Sequence, residues 1–309
     1  MAIHHLLSLT DLSRQEIEAL FELTSLLKKR KVRVSQPLAG KTLGLVFQKP
    51  SVRTRLSFEI GMYQLGGQCA YLGPEDLGQG QRESAKDMAR VLSRYVNGIA
   101  ARTFAHRDVV ELAQWATVPV INGLSDTHHP CQALADLFTI LEHFGSLKSL
   151  KVAYVGDGNN VCHSLMHGCA LLGVPLAVAT PRQFPPEPAV VEEARLAAKR
   201  SGGALTVATD PKAAVAGASV IYTDVWVSMG QQRPKAQLKA FGPFQVNKTL
   251  TALADTRHVV MHCLPAHRGV EITDDVLDSP HSVVYDQAEN RLHIQKAILL
   301  WLLRGARAK

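Results

Sequence analysis

The feature that most constrains the fold of this chain is a repeated order of short apolar run, loop and amphipathic helix along nearly its whole length. "KTLGLVF" (41–47) has the length and continuous apolarity of a buried strand, and "RLSFEIGMYQLGG" (55–67) predicts a helix ended by Gly66 and Gly67. The order recurs as "QCAYLG" (68–73) then "ESAKDMARVLSRYV" (83–96), "GIAAR" (98–102) then "RDVVELAQWAT" (107–117), and "VPVINGL" (118–124) then "CQALADLFTILEHFG" (131–145). A second series starts after the loop at 145–150 and alternates strands 151–158, 175–180, 204–210, 218–226 and 258–265 with helices 164–173, 186–203 and 211–217. Such alternation implies parallel sheets with right-handed crossovers, so each half is expected to be a doubly wound α/β domain. Residues 11–31 predict an amphipathic helix capped by Thr10 or Asp11, with Leu12, Ile17, Leu20, Phe21 and Leu27 as its apolar stripe. "AENRLHIQKAILLWLLRG" (288–305) predicts a final apolar helix that packs across the domains. The expected division is 1–147, 148–287 and 288–309.

In open α/β sheets, ligands bind outside the carboxyl ends of the strands. That rule selects the loops 48–54, 74–82, 102–106, 125–132, 156–163, 224–233 and 263–269, with a cleft between two facing domains as the expected place for substrate. A length of 309 residues suits two domains. The net charge of +7 favours phosphorylated or carboxylate ligands, or nucleic acid, although such an excess is also ordinary solvated surface. No stripe of Lys and Arg interleaved with aromatics supports nucleic acid. Five cysteines without paired or zinc spacing point to a reducing compartment. With no signal or transit pattern at the start and no apolar run long enough to span a bilayer, a cytoplasmic protein without a membrane partner is expected.

Five loops carry candidate chemistry. "KPSVRTRLS" (49–57) places three cations and three hydroxyls before a helix, either as an anion cradle at a helix N-terminus or as a capping Ser with exposed arginines. It lacks the glycines of a Walker loop. "DTHHPCQALAD" (126–136) offers His129 and Gln132 to a small amide-like group, or a plain turn; Arg102 has the same ambiguity. "YVGDGNNVCHS" (154–164) sets Asn159 and Asn160 where a dinucleotide loop would close its third Gly, which disfavours a nicotinamide dehydrogenase and suits a zwitterionic ligand. "TDVWVSMGQQ" (223–232) offers Asp224 to an ammonium group. In "MHCLPAHRG" (261–269), Cys263 is a buried apolar residue, a nucleophile or a proton-handling group.

Together, S-V-R-T-R, H-P-C-Q, D-V-W-V-S-M-G and H-C-L-P, in this order at strand-end loops, resemble the transcarbamoylase family, and the last two resemble its ornithine branch. The resemblance covers nearly the whole chain. It implies a carbamoyl phosphate-binding domain (1–147), an ornithine-binding domain (148–287), a C-terminal helix returning toward the first (288–309), and a homotrimer or a multiple of trimers. The implied reaction transfers the carbamoyl group of carbamoyl phosphate to the side-chain amine of L-ornithine, giving citrulline and phosphate, with no cofactor and no metal.

Residue by residue, the resemblance implies that Ser51, Val52, Arg53 and Thr54 hold the phosphate. Arg102 is implied to contact the phosphate and the carbonyl, and His129 and Gln132 the carbamoyl group. Asn160, Asp224, Ser228 and Met229 are implied to hold ornithine, and Cys263, Leu264 and Arg291 to complete the reaction centre. Arg102, His129, Asp224 and Cys263 are the implied catalytic residues. In one departure from the family pattern, Gly78 stands where the family usually has Gln or His, with Gln79 one step later. The loop either supplies Gln79 by a shifted backbone or lacks this contact. Aspartate- and putrescine-specific members are the nearest rivals; Asp224 with Asn160 suits an ammonium-bearing α-amino acid better than a dicarboxylate.

Overall fold

Parallel pairing of short strands builds both sheets of the computed structural model, which describes residues 4–29, 36–77, 84–227 and 234–304. In the first sheet β1 (Thr42–Phe47) lies between β2 (Gln68–Leu72) and β3 (Gly98–Arg102), and β4 (Val120–Leu124) completes the order β2-β1-β3-β4. β3 is buried along its whole length and β1 nearly so, as parallel strands covered on both faces must be; β2, at the edge, is partly exposed. The connecting helices are α2 (Val52–Gln64), α3 (Ala85–Tyr95) and α4 (His106–Trp115), preceded by α1 (Arg14–Lys29) and followed by α5 (Pro130–Phe144). Val46, Ile99, Ala101, Val109, Leu112 and Val120 are central to this core.

The second sheet has the order β7-β6-β5-β8-β9, from β5 (Val152–Val155), β6 (Leu176–Ala179), β7 (Leu205–Ala208), β8 (Val220–Thr223) and β9 (Val259–His262). Its helices are α6 (Asn160–Leu172), α7 (Pro188–Ser201), α8 (Pro211–Val215) and the four-residue α9 (Lys235–Leu238), α10 (Lys248–Thr251) and α11 (Asp274–Leu277). Ala153, Val155, Ile221, Val246, Val260 and Leu277 fill the core. α12 (Val284–Leu303) ends the described chain. Two compact units result, Met1–Leu134 with Arg291–Lys309, and Ala135–Asn290. Both are parallel α/β sheets as the alternation implies. No described helix is long and apolar enough to cross a membrane.

At three helix starts a capping side chain sets a boundary other than the expected one, whereas α8, capped by Asp210, begins at Pro211 as expected. Neither Thr10 nor Asp11 caps the first helix. Ser8 and Asp11 form a capping box around a 3-10 turn at Leu9–Asp11, and the Ser13 hydroxyl then accepts from the Glu16 N–H to open α1. α2 begins at Val52 rather than at 55, because the Ser51 hydroxyl accepts from the Thr54 N–H. α6 begins at Asn160 rather than at 164, because Asn159 Oδ1 accepts from the N–H groups of Val161 and Cys162. The short helices between β8 and α12 carry too few residues to show a period.

The strand orders reverse at two places, between β1 and β3 and between β5 and β8. Loops leaving the carboxyl ends of such strand pairs diverge and leave a crevice for ligand. The Gly156-Asp157-Gly158 turn leaves β5 at the second of these, and both glycines have local causes. Gly156 has φ of +146°, and a Cβ on Gly158 would stand 2.2 Å from Pro186 N and 2.3 Å from Pro185 C. Gly158→Ala therefore forces backbone against backbone. It is expected to cost about 1–3 kcal/mol, seen as a Tm lowered by about 2–4 °C per kcal/mol; an unchanged Tm would show that the 181–187 segment yields freely.

Candidate active site

In the first unit, cations converge on one buried imidazole. Ser51 starts α2, and Thr54 on its first turn is buried with its hydroxyl accepting from Arg291 Nη2 at 3.2 Å. Arg291 also donates from Nη1 to Gln132 Oε1, which turns the Gln132 NH₂ the other way as a donor. Arg102 closes β3, at a register irregularity against β4, and is buried. His129 precedes α5 and is buried in a turn held by Ser125 N–H on the His128 carbonyl at 2.9 Å. The two adjacent histidines divide the work: His128 packs edge-on against His106, ring centroids 4.8 Å apart, and His129 faces the cations. Burial, then the fields of Arg291, Arg102, Lys49 and Arg53, hold His129 well below the usual imidazole range, so it is neutral near pH 7. A neutral imidazole beside four cations suits a ligand that brings two negative charges and a polar carbonyl. Arg53 and Val52 on the first turn of α2 are exposed.

Lys49 is one of three cations in the 49–57 run, and nothing in the sequence distinguishes it from a solvated lysine. It is 7% exposed, with its ammonium 5.1 Å from the centre of the Phe104 ring. Burial and Arg102 push its pKa down to about 8, against a smaller opposing effect of Asp126. Arg55 takes the other part: its Nε pairs with Glu59 Oε1 at 2.9 Å and its guanidinium lies 3.8 Å from the Tyr71 ring centre.

In the second unit, Asp224 follows β8 and is buried. Its Oδ2 accepts from Asn159 Nδ2 at 2.7 Å and its Oδ1 from Cys263 Sγ at 2.9 Å. Asn159, also bonded by the Tyr154 hydroxyl at 3.3 Å, thus caps α6 and braces the carboxylate. Asn160, its neighbour, is buried in the first turn of α6. Cys263 and Leu264 follow β9 and are half-buried. Gln79, Ser228 and Met229 lie outside the described residues.

Asp224, His262 and Cys263 bring one possible ligand atom each to within 4.8 Å of one another. His262, however, accepts the Leu264 N–H on Nδ1 at 2.9 Å and meets Glu271 Oε1 with Nε2 at 3.1 Å. With both ring nitrogens engaged, the group is built for hydrogen bonding rather than for holding an ion.

Residues 4–142 match the family model described as aspartate/ornithine carbamoyltransferase, carbamoyl-P binding domain, and residues 148–302 match its Asp/Orn binding domain. Ornithine carbamoyltransferase from Thermococcus kodakarensis is 53% identical over 309 residues, 99% of this chain and 98% of that one. A Pyrococcus furiosus relative named "Ornithine carbamoyltransferase, anabolic" is 52% identical over 309 residues, 99% of this chain and 98% of its own. The solved ornithine carbamoyltransferase from Pyrococcus furiosus superposes with a TM-score of 0.95 at 52% identity, covering 99% of each chain. That from Thermus thermophilus gives 0.88 at 45% identity, covering 98% of this chain and 100% of the other.

Lys49 is charged below pH about 8 and neutral above it, so its help to a bound anion is lost as pH rises. Affinity for inorganic phosphate, read by calorimetry from pH 7.5 to 9.5, is expected to fall by about tenfold, the scale of one charged hydrogen bond. Lys49→Gln is expected to bind weakly throughout with a flat profile. A variant profile as steep as the wild type's would place the titrating group elsewhere.

Proposed function

The chain belongs to the aspartate/ornithine carbamoyltransferase family, and we propose that it carbamoylates the side-chain amine of L-ornithine with carbamoyl phosphate, releasing L-citrulline and phosphate. The observation that carries this reading is the buried pair Lys49 and Arg102, with Arg53, around neutral His129 in the segment matched to carbamoyl-P binding, joined by buried Arg291 from α12. The name of the anabolic relative supports the synthetic direction.

Carbamoyl phosphate sits with its phosphate on Ser51, Val52, Arg53, Thr54 and Arg102, and with its carbamoyl group on His129, Gln132 and Arg291. Gln79 is a further candidate contact. Cys263 and Leu264 complete the carbamoyl end of the reaction. Ornithine takes Asn160, Asp224, Ser228 and Met229. Its side-chain amine, with a pKa near that of Lys at about 10.4, is neutral in only about one molecule in a few hundred to a few thousand near pH 7 to 8. Asp224 attracts the ammonium, and the thiol of Cys263, donating to that carboxylate, is itself protonated. Asp224 and Cys263 together orient the amine and help deprotonate it, with the departing phosphate as the alternative proton acceptor.

The freed nitrogen attacks the carbamoyl carbon, negative charge grows on the carbonyl oxygen beside Arg102 and His129, and the bond to the phosphate oxygen breaks. Phosphate departs with the electron pair, stabilised by Arg53 and the α2 N-terminus, and takes the second proton that the attacking nitrogen sheds as the new C–N bond forms. Positioning of two bound reactants supplies up to about 7–11 kcal/mol of barrier reduction, so no covalent intermediate is required. Five free cysteines fit a reducing, cytoplasmic setting.

Assembly as a homotrimer, or a multiple of trimers, belongs to the same proposal. α2 exposes Val52 (73%), Leu56 (50%), Ile60 (42%) and Tyr63 (77%) at helical spacing. A regular apolar stripe on one helix face is what a subunit interface covers.

Steady-state assays should show citrulline formation with ornithine and neither aspartate nor putrescine as an equal substrate; inactivity with ornithine would sink the assignment. Arg53→Ala is expected to lower kcat/KM by about 10²–10³, the loss typical for one group stabilising transition-state charge, and Arg55→Lys far less; the reverse order would mean that Arg55 touches the ligand. Leu56→Glu with Ile60→Glu is expected to shift the mass measured by light scattering toward one chain. Retention of a trimer would place the interface elsewhere.

A further inference from the structure

Glu271 is fully buried, on the returning leg of the loop 267–272 and in the same unit as His262. Its place is fixed twice over, by the Val246 N–H on its backbone carbonyl at 2.8 Å and by the His267 N–H on its Oε1. The same Oε1 lies 3.1 Å from His262 Nε2. Because His262 Nδ1 accepts the Leu264 N–H, the ring proton resides on Nε2 and is donated to Glu271. The His262 backbone is held as well, its N–H donating to Gln287 Oε1 at 3.0 Å. Downstream of this tether, Leu264 has φ of +57°, a left-handed conformation that a Leu keeps only when its surroundings over-determine it. Cys263, between the tethered residues, donates to Asp224.

We propose that Glu271 is a positioning residue for the carbamoyl transfer: through His262 it sets the tautomer that grips Leu264 N–H, and so aims Cys263 and Leu264. The carboxylate touches neither substrate; it selects the ring nitrogen that faces the turn, as outer carboxylates do for metal-bound imidazoles. The assignment rests on the carbamoyltransferase reading above, and the test separates the two.

The enzyme is compared with Glu271→Ala, Glu271→Gln, His262→Ala and the His262→Ala/Glu271→Ala double variant. Three readouts are used: kcat and KM for citrulline formation, affinity for inorganic phosphate, and the rate of Cys263 alkylation by iodoacetamide followed by peptide mass spectrometry. Cys263 can be followed individually, since Cys131, Cys162 and Cys169 are buried and the Cys69 thiol is pushed up to about 12.

Glu271→Ala is expected to lose about 10- to 100-fold in kcat, the range for removing a group that orients a histidine, with phosphate affinity unchanged and Cys263 alkylated severalfold faster. Glu271→Gln, which can still accept from Nε2–H, is expected to recover most of both. The double variant is expected to lose no more than His262→Ala alone, because the two act in series. Wild-type kcat and alkylation in Glu271→Ala, or losses that multiply in the double variant, would overturn the proposal. Should Glu271→Ala fail to fold, fast alkylation in Glu271→Gln overturns it and wild-type alkylation supports it. A wild-type enzyme that makes no citrulline removes the functional reading, whereas alkylation and phosphate binding report on the tether regardless.

Discussion

Repulsion among like charges is the constraint on which the first unit's site turns. Lys49, Arg102 and Arg291 are mostly buried and, with Arg53, all disfavour a further positive charge on His129. Burial first, and then the field of Arg102, push the Lys49 pKa down to about 8, so holding these cations in a low-dielectric interior costs the fold stability. Rigid elements hold them there: the carboxyl end of β3 for Arg102, the turn after β1 for Lys49, and α12 for Arg291 through Thr54 and Gln132. A dianionic ligand relieves that repulsion, so the electrostatic strain of the free site becomes binding energy.

The second unit works in the opposite sense. Its central group is a buried carboxylate, Asp224, whose two oxygens accept one hydrogen bond each, from Asn159 and from Cys263. An acceptor-rich site of this kind suits an ammonium-bearing substrate, as the cationic one suits a phosphate. Lys49 and Arg102 lie where the first strand order reverses, after β1 and at the end of β3, and Asn159 and Asp224 where the second does, after β5 and β8; His129 follows β4, Cys263 follows β9 and Arg291 comes from α12. The topology of parallel sheets therefore decides where the chemistry is placed before any side chain does.

Some residues of consequence were invisible in the sequence for identifiable reasons. Asn159 read as half of a ligand-binding pair, yet its Oδ1 caps α6 and its Nδ2 braces Asp224, two roles that one carboxamide fills only once the turn is formed. Gly156 and Gly158 resembled the opening of a phosphate loop, whereas a left-handed φ and the approach of Pro185 and Pro186 account for them. His262 sits beside Cys263 in the motif, but its partner Glu271 is nine residues on and carried no signal until the loop folded back.

By itself, the sequence determined the layer architecture and the loops to inspect. Strand and helix periods are local, and a parallel sheet must expose its carboxyl-end loops. The motifs in those loops pointed to carbamoyl phosphate and ornithine only through their joint resemblance to the transcarbamoylase family. Only the tertiary structure decided which members of each motif act together: that Arg291 reaches Thr54 and Gln132 from far along the chain, that Lys49 is buried, and that the Cys263 thiol donates to Asp224, whereas the pairing of Arg55 with Glu59 one helical turn on is local. Those outcomes depend on burial and on contacts distant in sequence, and neither is encoded in the spacing of residues along a strand or helix.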